Sequence, residues 1–181
     1  MSIAPRPISP TSLIIRSAET QDCHKIAAIY NEAIENGSIT MDSVPRTTAD
    51  VQALLNQLSQ REALLVAQLS EHVIGWGIVK RYSDRAGYQV CCETSVYLTF
   101  SETGKGYGKV LQQTLLSHAE SLGYYHIVAK ILAANESSIR FHQRLGFTIV
   151  GIQNGIGYLN GIWHDVVILQ YQLPKYLSDI F

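Results

Sequence analysis

Charge of either sign is scarce in this chain, and so is cysteine. Fourteen Lys and Arg against fifteen Asp and Glu leave a formal net charge of −1 over 181 residues. That balance gives no electrostatic footprint for nucleic acid or an anionic membrane surface. Cys23, Cys91 and Cys92 are too few and too unevenly spaced for a disulfide framework or a zinc site. A reducing, cytoplasmic setting is therefore expected. No apolar run approaches the roughly 20 residues that span a bilayer, and the N-terminus carries no secretory h-region. Neither H-E-x-x-H nor a G-x-S-x-G elbow is present, and the histidines form no metal-ligand pattern, so no metal is expected. Three of the five prolines, Pro5, Pro7 and Pro10, crowd into residues 1–12, which read as a mobile arm. There are no internal repeats.

What remains is 46% hydrophobic and 16% charged, ordinary for one globular domain with a sizeable core. That domain is expected over 13–174, with a short tail at 175–181. Leu13–Arg16 reads as a strand. Thr20 is placed to cap a helix whose apolar face is Ile26, Ile29, Tyr30, Ala33 and Ile34, ending at Asn36-Gly37. Thr47-x-x-Asp50 reads as a capping box opening a second helix. Ala63–Leu69 and Val73–Arg81 form a hairpin, and Tyr88–Leu98 a strand rich in β-branched and aromatic residues. A long helix follows from Gly106, with Tyr107, Val110, Leu111, Leu115, His118 and Leu122 on one face. Ile127–Ile131, a short helix Glu136–Leu145, and strands Phe147–Ile152 and Trp163–Leu173 complete an α+β arrangement around one mixed sheet. Trp163 and Asp165 read chiefly as packing residues of the late strands.

The stretch from Glu93 to Leu122 carries the chemistry. A strand that feeds Gly104, Gly106 and Gly108 into a helix N-terminus presents unpaired N–H groups at the positive end of a dipole, an arrangement suited to phosphates. Gly108-Lys109 is followed by Val110, so this is no Walker loop. The G-x-G-x-G spacing, with Leu111 following, misses the dinucleotide fingerprint as well.

Together with Asn135-Glu-Ser-Ser-Ile-Arg-Phe-His142-Gln-Arg-Leu-Gly146-Phe147, this loop resembles the GNAT N-acetyltransferases, in which the pyrophosphate of acetyl-CoA rests on Arg/Gln-x-x-Gly-x-Gly/Ala. Here that loop is Thr103-Gly-Lys-Gly106-Tyr-Gly108. Ile29–Ile34, Gly75-Trp76, Glu93–Tyr97 and Gly161–Val166 narrow the resemblance to the phosphinothricin or methionine sulfoximine N-acetyltransferases, over about Ile15 to Leu173. This chain has Thr94 where that branch usually has His, and Leu159 where it usually has Lys.

The resemblance implies a mostly antiparallel sheet that binds acetyl-CoA at a splayed strand pair. It also implies direct transfer to the amino group of a small amino-acid analogue, and a homodimer. The alternatives are another amine acceptor or a non-catalytic acyl-CoA-binding module. Glu93, an acid in an otherwise apolar strand, is the candidate base, since burial raises a carboxyl pKa toward a useful value; a structural ion pair is its other reading. His142 stands where many relatives carry the tyrosine that protonates the departing thiolate, or else packs. Val96, Tyr97 and Leu98 would meet the thioester through a backbone N–H. Asn135 would touch the pantetheine arm, cap its helix, or both. Gly104, Lys105, Gly106, Tyr107, Gly108 and Lys109 would hold the phosphates. Arg85, Gly87, Tyr88, Thr94 and Ser95 would line the acceptor pocket with Glu93, and Arg85 would face the acceptor's acidic end.

Overall fold

A computed structural model describes residues 12–174. The expected tail at 175–181, and all of the expected arm except Ser12, lie outside the described residues. Seven strands and four helices follow in the order β1 (Leu13–Ser17), α1 (Cys23–Asn36), α2 (Thr48–Gln57), β2 (Ala63–Leu69), β3 (His72–Arg81), β4 (Cys91–Leu98), α3 (Tyr107–Ser121), β5 (His126–Leu132), α4 (Glu136–Arg144), β6 (Thr148–Leu159) and β7 (Ile162–Gln172). All strands share one sheet, in the order β1-β2-β3-β4-β5-β7-β6.

Every neighbouring pair is antiparallel except β4 with β5. That parallel pair holds register only from Cys91–Glu93 against His126–Val128. Beyond it β4 runs on to Leu98 and β5 to Leu132 without pairing, so the sheet opens into a wedge.

Each face of the sheet has its own core. Leu111, Leu115, Leu116 and Ala119 of α3 bury Leu65, Val79, Cys92 and Ile127 on one side. Ile26 and Ile29 of α1 and Val51 of α2 bury Leu64, Val66, Trp76 and Ile78 on the other. The capping box Thr47/Asp50 starts α2 as its spacing requires. Gly37 ends α1 in the left-handed conformation at φ 73°.

Several local expectations are corrected. The entry to α1 is boxed by Glu19 and Asp22, and Thr20 lies inside a 3₁₀ turn, Thr20–Asp22. The strand expected from Tyr88 begins at Cys91, because Ala86–Tyr88 forms a second 3₁₀ turn. The buried face of α3 is rotated, taking in Gln112 and leaving Val110 exposed. β6 continues well past Ile152 to Leu159, and Trp163 is 69% exposed rather than packed.

Candidate functional site

The wedge supplies the first element of a site. Thr99 N–H donates to Ile74 O at 2.9 Å and Tyr82 N–H to Cys91 O at 3.3 Å. Odd-numbered residues of β4 therefore bond toward β3, and by alternation the N–H groups of Thr94, Val96 and Leu98 turn toward the open side. Of the three expected backbone donors, Val96 and Leu98 face the wedge and Tyr97 faces β3. The side chains alternate the other way. Glu93, Ser95 and Tyr97 project onto the α1–α2 face, where they line a cavity of about 1120 Å³.

That same alternation removes Thr94 from the acceptor pocket. Its side chain is buried on the α3 face, where the Gln112 Nε2–H donates to its Oγ1 at 3.1 Å. Glu93 occupies the cavity, but not as an isolated acid in an apolar strand. Its Oε2 lies 2.7 Å from Lys130 Nζ, and its side chain is 30% exposed. Lys130 extends from β5 two positions beyond the last register pair, and its Nζ also lies 5.5 Å from the centroid of the Tyr82 ring. Sequence reasoning missed Lys130. The signal that singled out Glu93, one charge inside an apolar strand, was present in Ile127–Ile131 too.

Tyr88 reaches the cavity wall, with its ring 5.6 Å from that of Tyr82. Arg85 and Gly87 are exposed and are not among the cavity's lining residues. Arg81 pairs with Asp84 at 2.7 Å. A smaller cavity of about 560 Å³, lined by Asp42, Arg46, Asp50 and Lys80 among others, shares Glu93, Ser95 and Tyr97 with the larger one. Cys91 lies in the wall of the larger cavity, and burial pushes its thiol up to about 11, which keeps it protonated and unreactive.

At the far end of β4 the chain makes a 3₁₀ turn, Phe100–Glu102, and enters α3 through Gly104 and Gly106 at φ 75° and 90°. No side chain caps this helix. A Cβ at Gly104 or Gly106 would meet open space, so the approach to the first-turn N–H groups is clear. Tyr107 packs on the α3 core cluster. Gly108 is different: a Cβ there would meet Leu98 Cδ1 at 3.3 Å and Phe141 Cε2 at 3.6 Å, so its missing side chain lets α3 close onto β4 and α4. Lys105 is held by Glu102 at 3.1 Å, and Lys109 is exposed.

Asn135 caps α4, its Oδ1 accepting from Ser138 N–H at 3.2 Å. His142 is 5% exposed and packs edge-on against Phe141 and Phe147. Burial lowers its pKa. Its Nδ1–H donates to the Ser138 carbonyl at 2.8 Å, which leaves Nε2 an unprotonated, unpartnered acceptor in the neutral ring.

An uncapped glycine-entered helix, a wedge between parallel strands and inward-turned amides converge in one fold, and the comparisons name it. An acetyltransferase (GNAT) domain profile matches residues 15–168. The chain belongs to the GNAT acetyltransferase family. It is 32% identical over 162 residues to the phosphinothricin N-acetyltransferase of Streptomyces viridochromogenes, covering 88% of each chain. It is also 32% identical over 164 residues to the L-methionine sulfoximine/L-methionine sulfone acetyltransferase of Pseudomonas aeruginosa, covering 90% of this chain and 95% of that one. Among solved structures, the GNAT phosphinothricin acetyltransferase of Sinorhizobium meliloti, in complex with acetyl-CoA, superposes with a TM-score of 0.84 at 30% identity over 90% of this chain and 89% of that one.

The wedge of this GNAT acetyltransferase and its open glycine loop have the form such a ligand requires, with backbone donors at each. No helix among the described residues is long and apolar enough to cross a membrane.

Proposed function

We propose that this acetyltransferase moves the acetyl group of acetyl-CoA to the amine of a small amino-acid analogue of the phosphinothricin, methionine sulfoximine or methionine sulfone kind, by direct transfer while both are bound. The observation that carries this reading is the position of Glu93. Its carboxylate lines the large cavity at the point where β4 and β5 part, one residue before the amides that turn into the wedge.

In this reading the first-turn N–H groups of α3, with Gly104 and Gly106, hold the phosphates, and Lys109 adds charge nearby. Asn135 caps α4 and keeps its Nδ2 for the pantetheine arm. Val96 and Leu98 N–H donate to the thioester oxygen as it gathers negative charge. Glu93, directly or through one water, takes the proton from the acceptor's ammonium and so frees the lone pair for attack. Acetyl-CoA supplies the activated acyl group. The Cys91 thiol, held protonated by burial, does not compete for it. A second copy of the chain covers the exposed apolar side chains Ile149, Ile152, Ile156, Tyr158, Ile162 and Trp163 along the β6–β7 edge; their size and exposure support this. The three thiols, all buried and unpaired, suit a reducing cytoplasm.

The test is thiol release from acetyl-CoA with phosphinothricin, methionine sulfoximine, methionine sulfone, common amino acids, spermidine and an aminoglycoside. Saturable turnover of the first three with none on spermidine is expected. Glu93→Gln is expected to lower kcat/KM on the active acceptor by about 10²–10⁴-fold while acetyl-CoA still binds. Full activity in that variant would remove Glu93 from the base role.

A further inference from the structure

We infer that Lys130 sets the acceptor class, by exchanging partners with the substrate: the acceptor's ammonium takes over Glu93, and the displaced Lys130 ammonium takes the acceptor's carboxylate. This inference rests on the proposed acetyl transfer and goes beyond it, to a residue and a recognition rule.

The cavity wall is the basis. Its lining is otherwise apolar, hydroxylic or amide, apart from His126, whose pKa burial lowers. Among the described residues of that wall, Glu93 and Lys130 are the single acid and the single strong base, 2.7 Å apart. An ammonium already sits on the carboxylate that is to deprotonate the acceptor, in the place the acceptor's own ammonium must occupy. A lone cationic amine that entered would push Lys130 off Glu93 and leave it beside a second positive charge, with no other anion among the described lining residues to receive it. An α-amino acid brings both charges. Its ammonium and carboxylate replace the internal pair one for one, and every charge stays partnered.

The other cations do not offer this. Arg85 lies outside the lining, and Arg81 is engaged by Asp84. Arg46 pairs with Asp42, and Lys80, the register partner of Glu93 across β3–β4, lines the smaller cavity and is the rival cation that the Lys80→Met variant tests. Lys130 also has the freedom the exchange needs. It is 44% exposed, and the Tyr82 ring 5.5 Å from its Nζ offers the displaced ammonium a second favourable contact.

The experiment uses three acceptors that differ at one group: methionine sulfone, its carboxamide, and the amine left by its decarboxylation. Steady-state constants are measured for wild type, Lys130→Met, Lys130→Arg and, as a control from the smaller cavity, Lys80→Met. Calorimetric Kd values for the same acceptors are taken with CoA present. Wild type is expected to favour the acid over the amide and the amine by about tenfold or more, mostly in KM and Kd. Lys130→Met is expected to erase that preference from both sides, weakening the acid and strengthening the amide and the amine, which no longer have to displace a cation from Glu93. Lys130→Arg is expected to retain most of it, and Lys80→Met all of it.

A preference that survives in Lys130→Met, or that disappears through kcat alone, overturns the exchange and leaves acetyl transfer standing. Absence of both turnover and acceptor binding in wild type overturns the exchange together with the proposed function.

Discussion

His142 shows how burial decides what a residue at a familiar position can do. With Nδ1–H given to the Ser138 carbonyl and Nε2 bare, the neutral ring has no proton to hand to a leaving thiolate. His142→Gln is therefore expected to keep kcat well within the roughly 10²-fold loss that removal of a general acid brings, as single-turnover kinetics would show. Its signature lies in stability instead. His142 and His126 both have pKa values lowered by burial. The unfolded chain takes up protons at the ordinary imidazole value near 6.5 while the folded one resists. Stability should thus fall as pH drops through that value and level off only below the folded values. Urea unfolding between pH 7.5 and about 5 should show this fall in wild type, and a shallower one in His142→Gln. The match at position 142 was legible in the sequence. The Phe141 and Phe147 rings that enclose the imidazole were not, since the period of a short helix does not say what folds over it. Thr94 and Lys130 teach the complementary lesson: strand alternation decides their faces, and it becomes usable only once the strand's inner face is known.

At the scale of the element, the entry to α3 divides its glycines into two kinds. Gly106 combines φ 90° with open space, so Gly106→Val forces a branched side chain into a left-handed conformation beside the helix N-terminus. Acetyl-CoA affinity should drop by tenfold or more, and the strained backbone should lower the melting point by several degrees as well. In Gly108→Ala the added methyl presses on Leu98 and Phe141; the expected cost is about 1 kcal/mol of stability, with the smaller effect on binding. Calorimetric titration and thermal melts of the two variants separate the roles. The order of elements was readable from periodicity and punctuation, as the Thr47/Asp50 box and Gly37 show. Boundaries failed where local chemistry was ambiguous. Ala86–Tyr88 curls before an aromatic strand, and β6, expected to stop at Ile152, runs on through Gly155 and Gly157 because β7 continues to pair with it as far as Leu159. On α3, Val110 and Gln112 exchange the places hydrophobicity assigns them, because the side chain facing Thr94 needs an amide.

For the whole molecule, the sheet order 1-2-3-4-5-7-6 places β6 at an edge with its apolar side chains outward. If a second copy covers that edge, sedimentation at micromolar concentration should give a dimer mass for wild type. A smaller mass is expected for Trp163→Glu, whose ring is 69% exposed and 5.0 Å from that of Tyr158. The strand order and the wedge follow from pairings between residues far apart in the chain, which no local pattern encodes; only the resemblance to GNAT enzymes made them foreseeable. The wedge has one more effect. Amide protons in the middle of a seven-stranded sheet ordinarily exchange with solvent deuterium only when the sheet breaks. Those of Val96 and Leu98, lying at the sheet's centre yet facing β5 beyond the end of its register with β4, should exchange within seconds to minutes in the empty enzyme, and should become the most strongly slowed amides in the molecule when acetyl-CoA fills the wedge.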